Sequence, residues 1–280
     1  MTTTSVLPPA PEAPATPPAP RHPGSRVVAI LTIVLGSAVI LATIIGAVFA
    51  TLSVSIRHAE TQSIDVAGVT EIDVDVSGSD LTVVFDDVDE ATLRVVNSGG
   101  GNGWVFDVDG DTLRVETPRR VFGWFLGGNG RATLTLPASL EGTDASFALG
   151  AGSLEANGRF GELDIDLAAG EVTVTGEARS LDVSVNAGSA DLALADVDEA
   201  EFAVGAGDTT ARLTGTAPRE VSIDVSAGSL DLTVPDETYA LASNVSAGGL
   251  DTHALQTDGS SPRSIAVELS AGDVTLRGSD

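Results

Sequence analysis

The stretch Val225–Val234, VSAGSLDLTV, places apolar residues at alternate positions on both sides of an Ala-Gly pair, and the arrangement recurs along the second half of the chain. Alternation with a period of two is the mark of a half-buried strand. Ala-Gly pairs ending at Gly152, Gly170, Gly188, Gly207, Gly228, Gly248 and Gly272 define seven copies, spaced 18, 18, 19, 21, 20 and 24 residues apart. Three residues before each Gly stands Leu149, Leu167, Val185, Val204, Val225, Val245 or Leu269, and the residue five before is apolar in six of the seven. Two residues after it stand Leu154, Val172, Ala190, Leu230, Leu250 and Val274, with Thr209 the exception. Each copy therefore reads as a strand, a tight corner and a second strand. A unit this small cannot close a core alone, so neighbouring copies must stack. The expected fold is all-β, a β-solenoid resembling a parallel β-helix over residues 138–280. Gly at each corner supplies backbone torsions that a Cβ would resist.

The outward positions carry a second pattern. One residue after each Gly the series runs Ser153, Glu171, Ser189, Asp208, Ser229, Gly249, Asp273; three after, it runs Glu155, Thr173, Asp191, Thr210, Asp231, Asp251, Thr275. In-register neighbours on adjacent strands lie about 4.8 Å apart, where like charges repel. Acids are mostly separated by small or hydroxyl residues, as expected if successive copies are neighbours in space. Asp164, Asp182 and Glu201 form a further series that breaks this alternation.

Ahead of the repeats, residues 64–137 hold alternating segments (IDVAG, EIDVDVS, DLTVVF, ATLRVV, WVFDVD, DTLRVE and ATLTLP) expected to pair antiparallel. Asp109-Gly110 is the strongest hairpin signal, since such dipeptides tolerate the positive φ of a type I′ turn. Further upstream, residues 27–56 contain no charge, a run longer than the roughly 20 residues that cross a bilayer core, and they read as an uncleaved transmembrane helix. Residues 1–26 hold eight of the 13 prolines and read as a disordered tail; residues 57–63 form a stalk. Arg21, His22 and Arg26 precede the span and Arg57 and His58 follow it, which places the tail in the cytoplasm and the C-terminal domain outside the cell. The C-terminus follows the last repeat directly and bears no wall-sorting signal, so attachment is expected through the N-terminal span.

Composition narrows the function. All 14 basic residues are Arg, against 40 acids, for a net charge of −26, a poor match to nucleic acid. There is no Cys to form disulfides or thiolate metal sites, and no Lys for isopeptide cross-links or Schiff bases. Outside the expected span and tail the only histidines are His58 and His253, too few for a His-based catalytic group. Paired carboxylates could serve a glycosidase, but acids stand at nearly every outward position, so no pair is distinguished. No cofactor is expected. For calcium, the candidate ligands are Asp86, Asp87, Asp89 and Glu90, then Asp107, Asp109 and Asp111, and then Asp164, Asp182 and Glu201. None of these fits an EF-hand or a calcium-binding nonapeptide repeat. The competing reading is a hairpin turn and solvated strand faces. The aromatic segment 118–131, PRRVFGWFLGGNGR, sets Phe122, Trp124 and Phe125 beside Arg119 and Arg120, and Trp104 lies near another Gly-rich loop. Three readings stand: a plug over the open end of the solenoid, a contact for a protein or glycan partner, or an anchor at the membrane interface.

The chain resembles the bacterial candidate-adhesin domains built from β-strand repeats, many of which have no assigned function. The likeness covers residues 64–280. It rests on Ser63–Phe85 (SIDVAGVTEIDVDVSGSDLTVVF), on the Leu136-Pro137 ending of TLTLP, and on corners such as VSAGSLDLTV and LSAGDVTLRG. Ala-Gly stands here where Ser-Gly is common in the family. The resemblance implies a solenoid-like domain on an exported or anchored protein, with no catalytic residues to carry over. The expected function is a non-enzymatic, adhesin-like surface protein with an envelope or extracellular protein or glycan partner. An envelope-sensing accessory acting through its span is the alternative, and a wall-polysaccharide enzyme a distant third.

Overall fold

The computed structural model describes residues 58–97, 104–117 and 130–279. All of these lie in the second of the chain's two compact units, Ser53–Asp280. The expected tail and span at residues 1–56 lie outside the described residues, among which no helix is long and apolar enough to cross a membrane.

The described residues are almost wholly strand. In order these are β1 (His58–Ile64), β2 (Glu71–Asp86), β3 (Ala91–Asn97), β4 (Val105–Asp109), β5 (Thr112–Glu116), β6 (Arg131–Pro137), β7 (Asp144–Leu167), β8 (Glu171–Val185) and β9 (Ser189–Ala195). There follow β10 (Glu199–Val204), β11 (Asp208–Thr214), β12 (Glu220–Val225), β13 (Ser229–Pro235), β14 (Thr238–Val245), β15 (Gly249–Ala254), β16 (Gln256–Thr257), β17 (Ser264–Leu269) and β18 (Asp273–Ser279). Each copy forms a rung of two strands joined at its Ala-Gly corner, and corresponding strands of successive rungs pair in parallel. The strands entering the corners make one wall of a flattened stack and the strands leaving them make the other.

Alternate side chains fill the space between the walls. In the first wall Phe147, Ile165, Val183, Phe202, Ile223 and Val267 are all buried at equivalent positions. Leu154, Val172, Ala190, Thr209, Leu230 and Val274 line the second. Burial of an aliphatic side chain contributes about 1.5–3 kcal/mol, so the repetition supplies stability without any disulfide. Thr209 interrupts the second row; it is only 2% exposed and its hydroxyl has no hydrogen-bond partner.

The corner glycines serve two purposes. Gly170 has φ +121°, a torsion that a Cβ strains, and a Cβ there would also strike the carbonyl oxygen of Gly152 on the rung before. Gly207 lacks positive φ; a Cβ there would meet Val185 Cγ1 at 2.6 Å. Close stacking of corners is thus the requirement common to both, and torsion alone does not account for the repeat.

Three features depart from the sequence reading. First, the stack begins at β2. EIDVDVS and DLTVVF are one strand bent at Gly78, pairing in parallel with β5, β6 and β7, so β2 is an additional rung. Among the described residues antiparallel pairing is confined to β1–β3, β3–β6 and β4–β5, which continue the two walls beyond the parallel pairs of β2 with β5 and β6. The Ser77-Gly78-Ser79 bend lacks the Ala-Gly spelling and is shifted in register against Gly152, which hid it from the pattern. Second, the β4–β5 hairpin has positive φ only at Gly110, the first of its two loop residues, which matches type II′ in place of type I′.

Third, the last two rungs exchange places. β17 pairs with both β12 and β14, and β18 with both β13 and β15, so the C-terminal rung is inserted between those of Gly228 and Gly248. The corners agree: the Ser270 amide donates to the carbonyl of Val225 at 2.9 Å, and that of Ser246 to Leu269 at 2.8 Å. The Gly248 rung, expected in the interior, is therefore the outer one.

Candidate functional site

With the rungs in their spatial order, the outward columns become regular. On the second wall one column runs Asp80, Ser153, Glu171, Ser189, Asp208, Ser229, Asp273, Gly249. Beside it runs Thr82, Glu155, Thr173, Asp191, Thr210, Asp231, Thr275, Asp251. Acid and hydroxyl alternate at every step except the last of the first column, where Gly249 follows Asp273. In sequence order Asp231 and Asp251 would be neighbours; the inserted rung puts Thr275 between them. The hydroxyls also bond the flanking acids: Ser153 Oγ donates to Asp80 Oδ1 at 3.0 Å, and Ser229 Oγ donates to Asp208. Alternation thus halves the charge density along the column and supplies Asp80 and Asp208 with a donor.

The first wall is less well balanced. One of its columns runs Glu162, Ser180, Glu199, Glu220, Ser264, Ala240, and another Asp164, Asp182, Glu201, Ser222, Ala266, Ala242. A third runs Asp166, Ser184, Ala203, Asp224, Glu268, Asn244. The structure brings Asp164, Asp182 and Glu201 into one uninterrupted ladder, as their spacing implied. Partial desolvation between neighbouring strands and then the adjacent carboxylate of Asp182 push the Asp164 pKa up. Desolvation, followed by Glu201, does the same to Asp182. Arginines flank this wall at the second corner: Arg179 lies 3.9 Å from both Asp144 and Glu162, and Arg219 lies 3.5 Å from Asp198 and Glu199. A shallow groove at that corner, lined by Glu141, Arg159, Phe160, Glu177, Arg179 and Asp196, has its Arg159 engaged by Glu141.

Of the other calcium candidates, Asp86, Asp109 and Asp111 have partners of their own. Arg114 stands opposite Asp107 across the hairpin and lies 3.6 Å from Asp109, while Asp111 accepts a hydrogen bond from Thr70 Oγ1 at 3.2 Å. Asp86 accepts from the Asp87 amide at 2.8 Å in the turn after β2. Among the described residues no group of three or more His, Cys, Asp or Glu side chains is placed to hold a metal ion. His253 is almost fully exposed, with Nδ1 2.6 Å from Asp251 Oδ1.

Of the cap or contact candidates, Trp104 is among the described residues. It is half-buried and packs with Phe106, Val108 and Ile64 against the core. Elsewhere in the core Phe160 meets Phe147 and Phe85 edge-to-face, with ring centres 5.8 and 5.9 Å away. Arg119, Arg120, Phe122, Trp124 and Phe125 lie outside the described residues. One feature had no signal in the sequence: Tyr239, the chain's single tyrosine, is fully buried at the outer rung and donates to the carbonyl of Pro235 at 3.1 Å. Burial pushes its phenol up to about 12.

A family model described as Toastrack DUF4097 matches residues 69–279. Among solved structures, a candidate adhesin from Bacteroides fragilis is similar at 14% identity, with 79% of this chain and 98% of that one covered and a TM-score of 0.45. A candidate adhesin from Parabacteroides distasonis aligns at 15% identity over 79% of this chain and 97% of that one, with a TM-score of 0.39. A candidate cell adhesion protein from Clostridium sporogenes aligns at 10% identity over 80% of this chain and 100% of that one, with a TM-score of 0.36. No curated protein matches the chain.

Proposed function

The chain belongs to the Toastrack DUF4097 family, and from that premise we propose that it is a non-enzymatic, membrane-anchored cell-surface protein whose β stack serves as an adhesin-like interaction domain. The observation that carries this reading is the pair of walls. Each presents in-register columns of outward side chains over many rungs, a geometry that offers extended contact with a partner in place of an enclosed reaction site. The acidic first wall, with Asp164, Asp182 and Glu201 in line, favours a partner surface carrying positive charge. The uncharged run at 27–56 supplies the anchor, the Pro-rich residues 1–26 the cytoplasmic tail, and the stack the exported part.

Cells carrying the full chain are compared with cells whose copy ends after the stalk, first by protease shaving of intact cells and then by binding to envelope glycans and extracellular matrix proteins. Removal of the stack by protease, and binding lost with the stack, are the expected results. A stack protected from protease overturns the topology. Equal binding by both strains overturns the interaction role. Deleting residues 1–23 with full surface display retained should leave binding intact; a lost transcriptional response in that strain would favour the envelope-sensing reading.

A further inference from the structure

The last strand of the first wall is unlike those it stacks on. Its outward residues are Ala240, Ala242 and Asn244, at the ends of columns that carry Glu162, Glu199 and Glu220, then Asp164, Asp182 and Glu201, then Asp166, Asp224 and Glu268. From Thr238 to Leu250 the chain has no charged residue, although the protein's net charge is −26. The inner residues Leu241, Ser243 and Val245 stack on the buried Ile265, Val267 and Leu269, with no rung beyond them among the described residues, and Val245 is 40% exposed. On the outer side of β14, Thr238 and Tyr239 pair with β16, and no strand among the described residues pairs with Ala240–Val245 there. A free, uncharged strand edge is a template for another strand.

The missing charges identify the occupant. Antiparallel pairing across a twofold axis sets a strand against its own copy, so a charge near the axis meets its like. A cationic partner would instead call for the carboxylates that every other rung of this wall supplies. We propose that β14 pairs antiparallel with β14 of a second copy about a twofold axis at Ser243, joining two stacks end to end. In this register Ala242 lies opposite the second copy's Asn244, and Leu241 opposite the second copy's Val245, so the half-exposed apolar pair covers the end of both cores. β15 is out of register with β18 between Asp251 and Ala254, which confines the contact to the first wall. With two strongly acidic stacks brought together, association strengthens as salt rises. The pairing rests on the edge alone and is independent of what the walls bind.

The chain contains no Cys, so Ser243→Cys in the full chain in detergent micelles carries a single thiol at the proposed axis. Mild oxidation should give a covalent dimer in this variant and none in Ser184→Cys, which places the thiol on the same wall in mid-stack. Ala242→Lys or Asn244→Glu added to Ser243→Cys should each reduce cross-linking at least tenfold, and mixing the two double variants should restore it. Sedimentation velocity of the cysteine-free chain over a concentration series should show a reversible dimer that either charge disperses with an unchanged melting temperature. Equal cross-linking at positions 243 and 184, no effect of the charges, no restoration on mixing, or a different protein bound to the edge would overturn the proposal.

Discussion

The rungs from Gly170 to Gly228 and the two that follow obey one packing rule with different chain routes. In the middle of the stack the next rung in sequence is the next in space. At the far end the chain skips a place, lays down β14 and β15, and returns to fill the gap with β17 and β18. What is preserved across both regions is the alternation of acid and hydroxyl on the second wall, and the exchange is what preserves it. The comparison teaches that side-chain compatibility between faces, in place of chain order, decides which rungs are neighbours.

The largest effect should come from removing the inserted rung. A chain ending at residue 263 loses Ile265, Val267, Leu269, Val274 and Leu276, each no more than 2% exposed. The loss should be at least about 5 kcal/mol, with a fall in melting temperature of more than about 10 °C by circular dichroism. Retention of the full melting temperature would mean that β14 and β15 dock equally well on β12 and β13.

Next come charges placed between charges. Ser189→Asp puts an acid between Glu171 and Asp208 in the middle, and Thr275→Asp puts one between Asp231 and Asp251 at the end. Each should cost about 1 kcal/mol, and added salt should recover much of it. In simple sequence order Thr275 would have a single acidic neighbour, so a clearly smaller loss there than at Ser189 would break the comparison. Thr209→Val acts in the opposite direction. Replacing a buried hydroxyl that has no partner should stabilise the middle of the stack by about 1 kcal/mol, read as a higher midpoint in urea.

The smallest effect depends on pH. A raised native pKa means that the folded chain holds its protons more tightly than the unfolded one. The contribution of Asp164 and Asp182 is therefore favourable in acid and is lost as pH rises through the window just above the usual Asp range. Asp196, Asp251 and Asp258 have pKa values lowered by hydrogen bonds from Thr216, His253 and Ser260, and their contribution is lost as pH falls. Asp182→Asn should raise the melting temperature slightly at neutral pH and flatten its decline between pH 4 and pH 6. An unaltered profile would remove the ladder as its source.

Much of the stack was legible because its determinants are local. A period of two, an Ala-Gly pair and the columns at fixed offsets all lie within one rung, and Phe202 or Val225 could be assigned to the interior from neighbours a few residues away. The position of β17–β18 was not legible in the same way. It depends on which faces match, although the adjacent acids Asp231 and Asp251 in the sequence series were a trace of it. β2 was not legible as a rung because its Gly78 bend has a different spelling and falls outside the Ala-Gly period. Of the candidate sites, the Asp164, Asp182 and Glu201 ladder was visible from spacing. Trp104 packs against the core, while the segment that reads as a cap or a contact, 118–129, lies outside the described residues. Tyr239 gave no warning, since a lone tyrosine in an alternating strand carries no sign that its hydroxyl will find the Pro235 carbonyl.

The exchanged rungs also set how the domain bears load. Tension applied at Ser279 reaches β18, which is paired along its length with β13 on one side and, at Asp273–Thr275 and Arg277, with β15 on the other. Two parallel ladders must then slip together in shear before the chain yields. Were the C-terminal rung outermost, the same pull could peel it away by breaking one ladder. By returning to an interior place, β17 and β18 act as a key driven between two courses of a wall, and the far end of the stack is locked from within.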